Sequence, residues 1–324
     1  MNKTLIYTEG GFYLGLGNVY RMIELAKSLK GRLPEIQITF VTSSEEYVNR
    51  LFETEGFKVI SVQKQALIDT IVNEDFKLLI IDKLDIEQEF LNKIKLSKKN
   101  SFKVVLFGNL SFANNISDLV INAIVGTDFS NKSYIDEYGT RYLTGPRYLT
   151  LREEFTYRSY IHKYDCRNIL LLFGGTDQSN YSCKATEKLL NHSSAYNITL
   201  VLGKGFQFLN ELELKVSYAP NVKILMDIKN VQEVMLENDF LLTSPGTALF
   251  EGLYLGLPCL AFFQNESQKK VFRNFVTTRS FEEIDLIDEI KATYYHYEDY
   301  QDRIAKLAIG QGKYEIINHI IDLL

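Results

Sequence analysis

The stretch SPGT, Ser244 to Thr247, stands between the apolar run FLLT and a helical pattern that carries Glu251. A turn of this kind leaves the first backbone N–H groups of the helix unpaired at the positive end of the helix dipole, a natural seat for a phosphate. Ser244, Gly246 and Thr247 suit that seat. Glu251 lies further along the same helix, within reach of the two hydroxyls of a ribose attached to that phosphate. The same residues also read as an ordinary strand-to-helix connection with Glu251 on a solvated face, and the spacing alone supports both.

Two other glycine turns follow apolar runs. TEGGFYLGLGNVYR brings Gly15 and Gly17 close to any ligand, with Arg21 in the following helix either binding an anion or solvating the first helical turn. As a dinucleotide fingerprint it lacks the third glycine, because that position is Tyr20, so a nicotinamide-dependent dehydrogenase is disfavoured. FGGTDQSN, Phe173 to Asn180, offers Gly174 and Gly175 for close backbone approach and Thr176 and Ser179 as hydroxyl donors. Asp177 reads as the cap of the next helix rather than as a catalytic acid. His192, His296 and His319 fall in helical or loop segments away from these turns and His162 in a linker, so each reads as structural or exposed. Cys166, Cys183 and Cys259 lack metal-ligand spacing and read as thiols kept in a reducing compartment. No metal and no cofactor is expected.

The elements that must position these turns form two series. TLIYT, QITFVT, KLLIID, KVVLFG and DLVINA read as strands, with YRMIELAKSLK and EEYVNRLFETEG as amphipathic helices between the first of them. NILLLFGG, ITLVLG, VKILM, FLLTS and CLAFF form the second series, again with helices between. This is the α/β pattern of doubly wound parallel sheets, whose ligands bind beyond the carboxyl ends of the strands, where all three glycine turns fall. The boundary is expected near Asp165, giving domains 1–164 and 165–324, each large enough for its own core. A net charge of -5 gives no electrostatic reason to expect nucleic acid. The first apolar run is too short for a signal peptide and no stretch of about eighteen apolar residues occurs, so a cytoplasmic protein without a transmembrane segment is expected.

Taken together, TEGGFYLGLGNVYRMIELAKSL, DLVINA, YLTGPRYLTLREEF, ILLLFGGTDQSN and SPGTALFEGLYLGLPCLAFFQNESQ resemble the signature segments of the UDP-sugar hydrolases of pseudaminic acid biosynthesis and their spore-coat-polysaccharide relatives. The likeness runs from Thr8 to about Gln268, and more distantly extends to the N-acetylglucosaminyl transferase of peptidoglycan synthesis. It implies a GT-B fold, two Rossmann-like halves facing across a cleft, with an acceptor or catalytic first domain and a second domain holding a UDP-sugar. Carried over, Ser244 to Thr247 would meet the diphosphate, Glu251 the uridine ribose, and Gly174, Gly175 and Thr176 the same nucleotide. Asn265 and Gln268 would face the sugar, and Arg147, Tyr148 and Arg152 would line the cleft. The implied partners are a UDP-sugar and a glycan or lipid-linked acceptor.

The departures bear on the reaction. The family's first turn ends in Gly-His, the histidine that activates the attacking water, and here the position is Asn18. An aspartate followed two residues later by a tyrosine becomes Asp82 with Leu84. An amide holds a nucleophile but has no useful basicity, and losing a general base costs about two to four orders of magnitude in rate. The pattern therefore favours transfer of the sugar slightly over hydrolysis, with a non-catalytic nucleotide-sugar binder as a third reading. Glu9, and Asp85 or Glu87 at the start of an expected helix, are the carboxylates best placed to replace the base.

Overall fold

The computed structural model describes residues 2–324 apart from 12–13, 100, 125–127, 153, 156–158, 194, 204, 227 and 229. The chain divides into two units, Met1–Arg152 with Leu307–Leu324 as unit 1 and Glu153–Lys306 as unit 2.

Unit 1 is built on strands β1 (Lys3–Thr8), β2 (Gln37–Thr42), β3 (Lys58–Ser61), β4 (Leu78–Asp82), β5 (Lys103–Phe107), β6 (Leu119–Asn122), β7 (Lys132–Ile135) and β8 (Arg141–Thr144). Their order is β3-β2-β1-β4-β5-β6-β8-β7, parallel except for the β7–β8 hairpin. The crossovers are α1 (Gly17–Arg32), α2 (Glu46–Thr54), α3 (Leu67–Asn73) and α4 (Gln88–Ser97). Alternate residues serve the two faces, which is why the central strands read as unbroken apolar runs. Ile6, Phe40, Leu78 and Ile80 pack with Met22 and Leu29 of α1 and Phe52 of α2. Leu5, Tyr7, Leu79 and Ile81 pack with Ile71 of α3 and Leu91 and Ile94 of α4.

Unit 2 carries β9 (Asn168–Leu172), β10 (Asn197–Leu202), β11 (Val222–Met226), β12 (Phe240–Thr243), β13 (Cys259–Phe262) and β14 (Thr278–Arg279), ordered β11-β10-β9-β12-β13-β14. Its helices are α5 (Tyr181–His192), α6 (Leu209–Val216), α7 (Val231–Glu237), α8 (Thr247–Leu255), α9 (Glu266–Phe272), α10 (Leu286–Tyr295) and α11 (Tyr297–Ala305). Asp239, buried ahead of β12, accepts hydrogen bonds from the backbone of Arg167 and Asn168 and from Lys163, which ties the entry of β9 to that of β12.

Numbered within each unit, the first six strands follow one order, 3-2-1-4-5-6. That order reverses between β1 and β4 and again between β9 and β12, which puts a ligand crevice at the carboxyl ends of those two pairs.

The unit boundaries differ from the expected split at Asp165. The chain leaves unit 1 after Arg152 and returns at Leu307, so that α12 (Lys313–Ile321) packs in unit 1. Ile316, Ile317 and Ile320 of α12 join the same cluster as α1 and β1. An amphipathic pattern states that one face must be covered, but not by which sheet. Among the described residues no helix is long and apolar enough to cross a membrane.

Candidate functional site

At the reversal point of unit 2, Thr243 Oγ1 donates to the Leu172 carbonyl at 2.6 Å and locks the ends of β12 and β9 together. Gln264, directly after β13, ties in the third strand. Its Nε2 donates to the Phe173 carbonyl at 2.8 Å and to Ser244 Oγ, and its backbone N–H donates to Gln268 Oε1 at 2.8 Å. Gln268 Nε2 in turn donates to the Pro245 carbonyl at 3.2 Å, while Asn265 Oδ1 accepts from the Gln268 N–H and caps α9. Asn265 and Gln268, expected to face a sugar, thus shape the turn itself, because the backbone polar groups at three strand ends need partners. Gln264 was not among the expected residues. The signal for it was the first amide of the QNESQ run that follows the apolar CLAFF.

The glycines of this site divide by what holds them. Gly174 has φ 87, a left-handed value that favours glycine. Gly175 is exposed and not left-handed, and a Cβ there would meet nothing within 4 Å. Gly246 has extended backbone, and its Cβ would touch only the Ser244 carbonyl at 4.0 Å. Neither packing nor backbone conformation therefore requires glycine at 175 or 246. Gly252 is the opposite case, since its Cβ would lie 2.6 Å from Leu241 and 2.7 Å from Cys259 Sγ, so it lets α8 close onto β12 and β13.

The head of α8 has no side-chain cap and no acidic residue in its first turn, so its orphan N–H groups stay open toward the site. Ser244 is buried, and Thr247 is half-buried as the first residue of the helix. Glu251 is 1% exposed, which overturns the alternative in which it stood on a solvated face.

Thr176 is half-buried in the turn after β9, where Asp177 sits at φ 43 and accepts from the N–H groups of Tyr181 and Ser182 at 3.0 and 2.7 Å. Burial pushes the Asp177 carboxyl above the ordinary carboxylate range, against the pull of those bonds. Asp177 is thus the cap of α5, and Asp177→Ala is expected to cost about 0.5–2 kcal/mol in urea unfolding.

In unit 1 the site follows β1. Glu9 is buried and accepts from Tyr7 Oη at 2.8 Å and from the Ser43 hydroxyl, with Lys83 Nζ at 3.4 Å. Burial opposes the Glu9 charge, but the bonds from Ser43 and Tyr7 and the lysine charges outweigh it and hold the carboxyl below its ordinary value. Glu9 borders an open pocket of about 160 Å³ shared with Gly10, Gly11, Ser43, Ser44 and Glu45. Ligand pockets run from roughly 300 Å³ upward, so this one is too small for a whole nucleotide. Gly11 and Gly15 exchange backbone hydrogen bonds that close the glycine loop, with Gly15 at φ 73, and Gly17 opens α1. Residues 12 and 13 of this turn lie outside the described residues. Asp85 is exposed in the turn before α4, which starts only at Gln88 behind Glu87.

Three residues expected at the ligand have partners within unit 1. Arg21 neither solvates its helix nor stands free for an anion, because its Nε and Nη2 grip both oxygens of Asp82 at 2.8 and 2.7 Å. Asp82 is buried at the end of β4, and only a cation lets a carboxylate remain charged there. Tyr148 is 4% exposed beneath α12, where its ring occupies the space a Gly312 side chain would need and its hydroxyl donates to Glu315 at 3.1 Å. Arg147 Nε lies 3.5 Å from the same Glu315, so Arg147 and Tyr148 both meet the returning helix.

No family model matches the chain. It is 30% identical over 279 residues to the spore coat polysaccharide biosynthesis protein SpsG of Bacillus subtilis, covering 83% of this chain and 80% of that protein. The chain belongs to the SpsG family. This SpsG-family chain is also 37% identical over 333 residues to an uncharacterized protein of Methanocaldococcus jannaschii, covering 99% of itself but 66% of that relative, so it spans just under two thirds of the relative's length. Among solved structures it is similar to MurG of Acinetobacter baumannii, with a TM-score of 0.68 at 11% identity over 99% of this chain and 100% of the other. It is likewise similar to Anabaena HepE in complex with UDP, with a TM-score of 0.64 at 13% identity and full coverage of both chains (100% each). At such identities the likeness is one of fold, and the SpsG-family chain has the α/β fold of the GT-B glycosyltransferases.

Proposed function

We propose that this protein is an enzyme of cell-surface glycan biosynthesis that binds a UDP-sugar and breaks the bond between the anomeric carbon and the diphosphate. The observation that carries the reading is the pair of glycines, Gly175 and Gly246, that the protein's own packing does not need, set beside an uncapped helix head at a strand-order reversal. Backbone laid bare in this way suits the close approach of phosphate oxygens. HepE, of the same fold, is found with UDP and with UDP-glucose, and SpsG is by its name a protein of polysaccharide biosynthesis.

In this reading Ser244, Gly246 and Thr247 hold the diphosphate, Gly174, Gly175 and Thr176 border the nucleotide, and Glu251 takes the ribose hydroxyls. UDP leaves with the bonding electron pair, and the N–H groups at the head of α8 stabilise the charge that develops on it. Transfer to a glycan or lipid-linked hydroxyl is favoured, because Asn18 supplies no base for water. Hydrolysis is the second reading, supported by the ionised Glu9 carboxylate at the unit 1 pocket.

Calorimetric titration with UDP-glucose and UDP-N-acetylglucosamine, followed by NMR of UDP release with and without sugar acceptors, tests the proposal. Acceptor-dependent release supports transfer, release without acceptor supports hydrolysis, and no heat at millimolar ligand overturns both. Glu251→Ala is expected to weaken UDP binding by about 1–3 kcal/mol through loss of charge-assisted hydrogen bonds. Unchanged affinity would remove Glu251 from the ribose.

A further inference from the structure

Strand β7 is the margin of the unit 1 sheet, and among the described residues no strand pairs with its outer side. All four of its residues are exposed, with Tyr134 at 45% and Ile135 at 57%, apolar surface of the kind that sheet edges ordinarily avoid. The hairpin decides which backbone groups this edge offers. The Asp136 N–H donates to the Thr140 carbonyl at 3.0 Å, which makes 136 and 140 a hydrogen-bonded pair of the register that sets Tyr134 opposite Tyr142. Bonded and non-bonded pairs alternate along an antiparallel ladder, so Tyr134 turns its N–H and C=O toward β8, while Ser133 and Ile135 turn theirs outward. Side chains alternate as well, and Lys132, Tyr134 and Asp136 share one face. On that face the Tyr134 ring lies against the Tyr142 ring, with centroids 5.0 Å apart and planes within 4° of parallel.

We propose that β7 is a self-association edge, taken up by β7 of a second copy of this chain in an antiparallel register centred on Tyr134. The segment KSYID, residues 132–136, is self-complementary about that tyrosine. Ser133 of each copy meets Ile135 of the other as a hydrogen-bonded pair, so every outward N–H and C=O of the strand finds a partner. Tyr134 falls opposite its own copy in the non-bonded pair, where Cα atoms stand about 4.5 Å apart and side chains are closest, and the Tyr142–Tyr134 stack continues across the join. Lys132 falls opposite Asp136 of the second copy, and the symmetry of the contact repeats that pair. Sliding the register by two residues either way sets Lys132 against Tyr134 or Tyr138 and loses both opposite-charge pairs. The ion pair of Lys132 with Asp128 within the chain is a weak competitor, because both side chains are more than half exposed. An unrelated extended peptide would use the same backbone groups but would not match this order of charge and ring. The contact is isologous and closes at two copies.

Sedimentation equilibrium of the full chain over a dilution series is expected to show monomer and dimer in exchange. Ser133→Lys combined with Ile135→Lys sets like charges opposite each other across the join, while both side chains stay in solvent in the free chain. This variant should keep its melting temperature and raise the dimer dissociation constant by about tenfold or more. Tyr134→Cys is the second variant. Cα atoms of a non-bonded antiparallel pair stand at a separation that a disulfide spans, so oxidised glutathione should convert Y134C into a covalent dimer and leave the wild type, whose own cysteines are buried or half-buried, unlinked. A wild type that is monomeric at every concentration, a dimer that S133K/I135K leaves intact, or a Y134C chain that oxidation does not cross-link would each overturn the proposal. None of these outcomes depends on the nucleotide site.

Discussion

Replacing Asp82 with Ala is expected to destabilise unit 1 by about 3–5 kcal/mol, the cost of leaving a buried charge without its partner. Asp82 is almost fully closed from water, and both its oxygens are engaged by Arg21. Burial raises its carboxyl above the ordinary range, against the pull of the two bonds from Arg21. The decisive comparison is the double variant Asp82→Ala with Arg21→Met. Removing both charges should recover part of the loss, giving a coupling of roughly 0.5–3 kcal/mol in a double-mutant cycle. Urea unfolding read from amide exchange in β1 and β4 measures it. A loss below about 1 kcal/mol for the single variant would show that the clamp is not what fixes the end of β4.

Gly175→Ala and Gly246→Ala are expected to separate ligand binding from folding. A methyl at 175 meets no neighbour and the backbone there is not left-handed, so Ala removes unfolded-state freedom and should hold or raise stability, by about 0.4–1 kcal/mol. At 246, where the glycine is the N-cap of α8, Ala should cost at most about 1 kcal/mol. Either methyl stands where phosphate oxygens would approach the backbone. Each lost charge-assisted bond is worth about 1.5–3 kcal/mol, so UDP affinity should fall by about two orders of magnitude, or about 2.7 kcal/mol. Calorimetry with UDP beside thermal melts of the same samples gives both halves of the result. Full UDP affinity in either variant would mean that the open space at that glycine serves nothing bound there.

Much of the architecture was legible because long parallel strands covered on both faces leave continuous apolar runs, and ten of the strands, among them QITFVT and NILLLFGG, were read directly from such runs. Those not recognised lie at sheet margins, where burial is partial. KVIS of β3 is an edge, all four residues of β7 are exposed, and β14 is only two residues long. The turns at the strand ends were legible as glycines after apolar runs. The Arg21–Asp82 pair was not, since 61 positions separate its members and Arg21 alone read as an anion-binding or solvated residue. The same holds for Arg147 and Tyr148, whose partner Glu315 comes 167 positions after Tyr148. Periodicity records that a side chain needs company, whereas the identity of that company is a property of topology.

The return of α12 to unit 1 has a consequence for how the molecule is made. During synthesis every strand of the first sheet leaves the ribosome well before residues 313–321, and all of unit 2 is produced in the interval. Until then the surface destined for Ile316, Ile317 and Ile320 stays bare, so the domain begun first is finished last. Any dissection of the protein into halves has to carry the tail with the head, for instance by splicing residue 152 to residue 307 through a short linker.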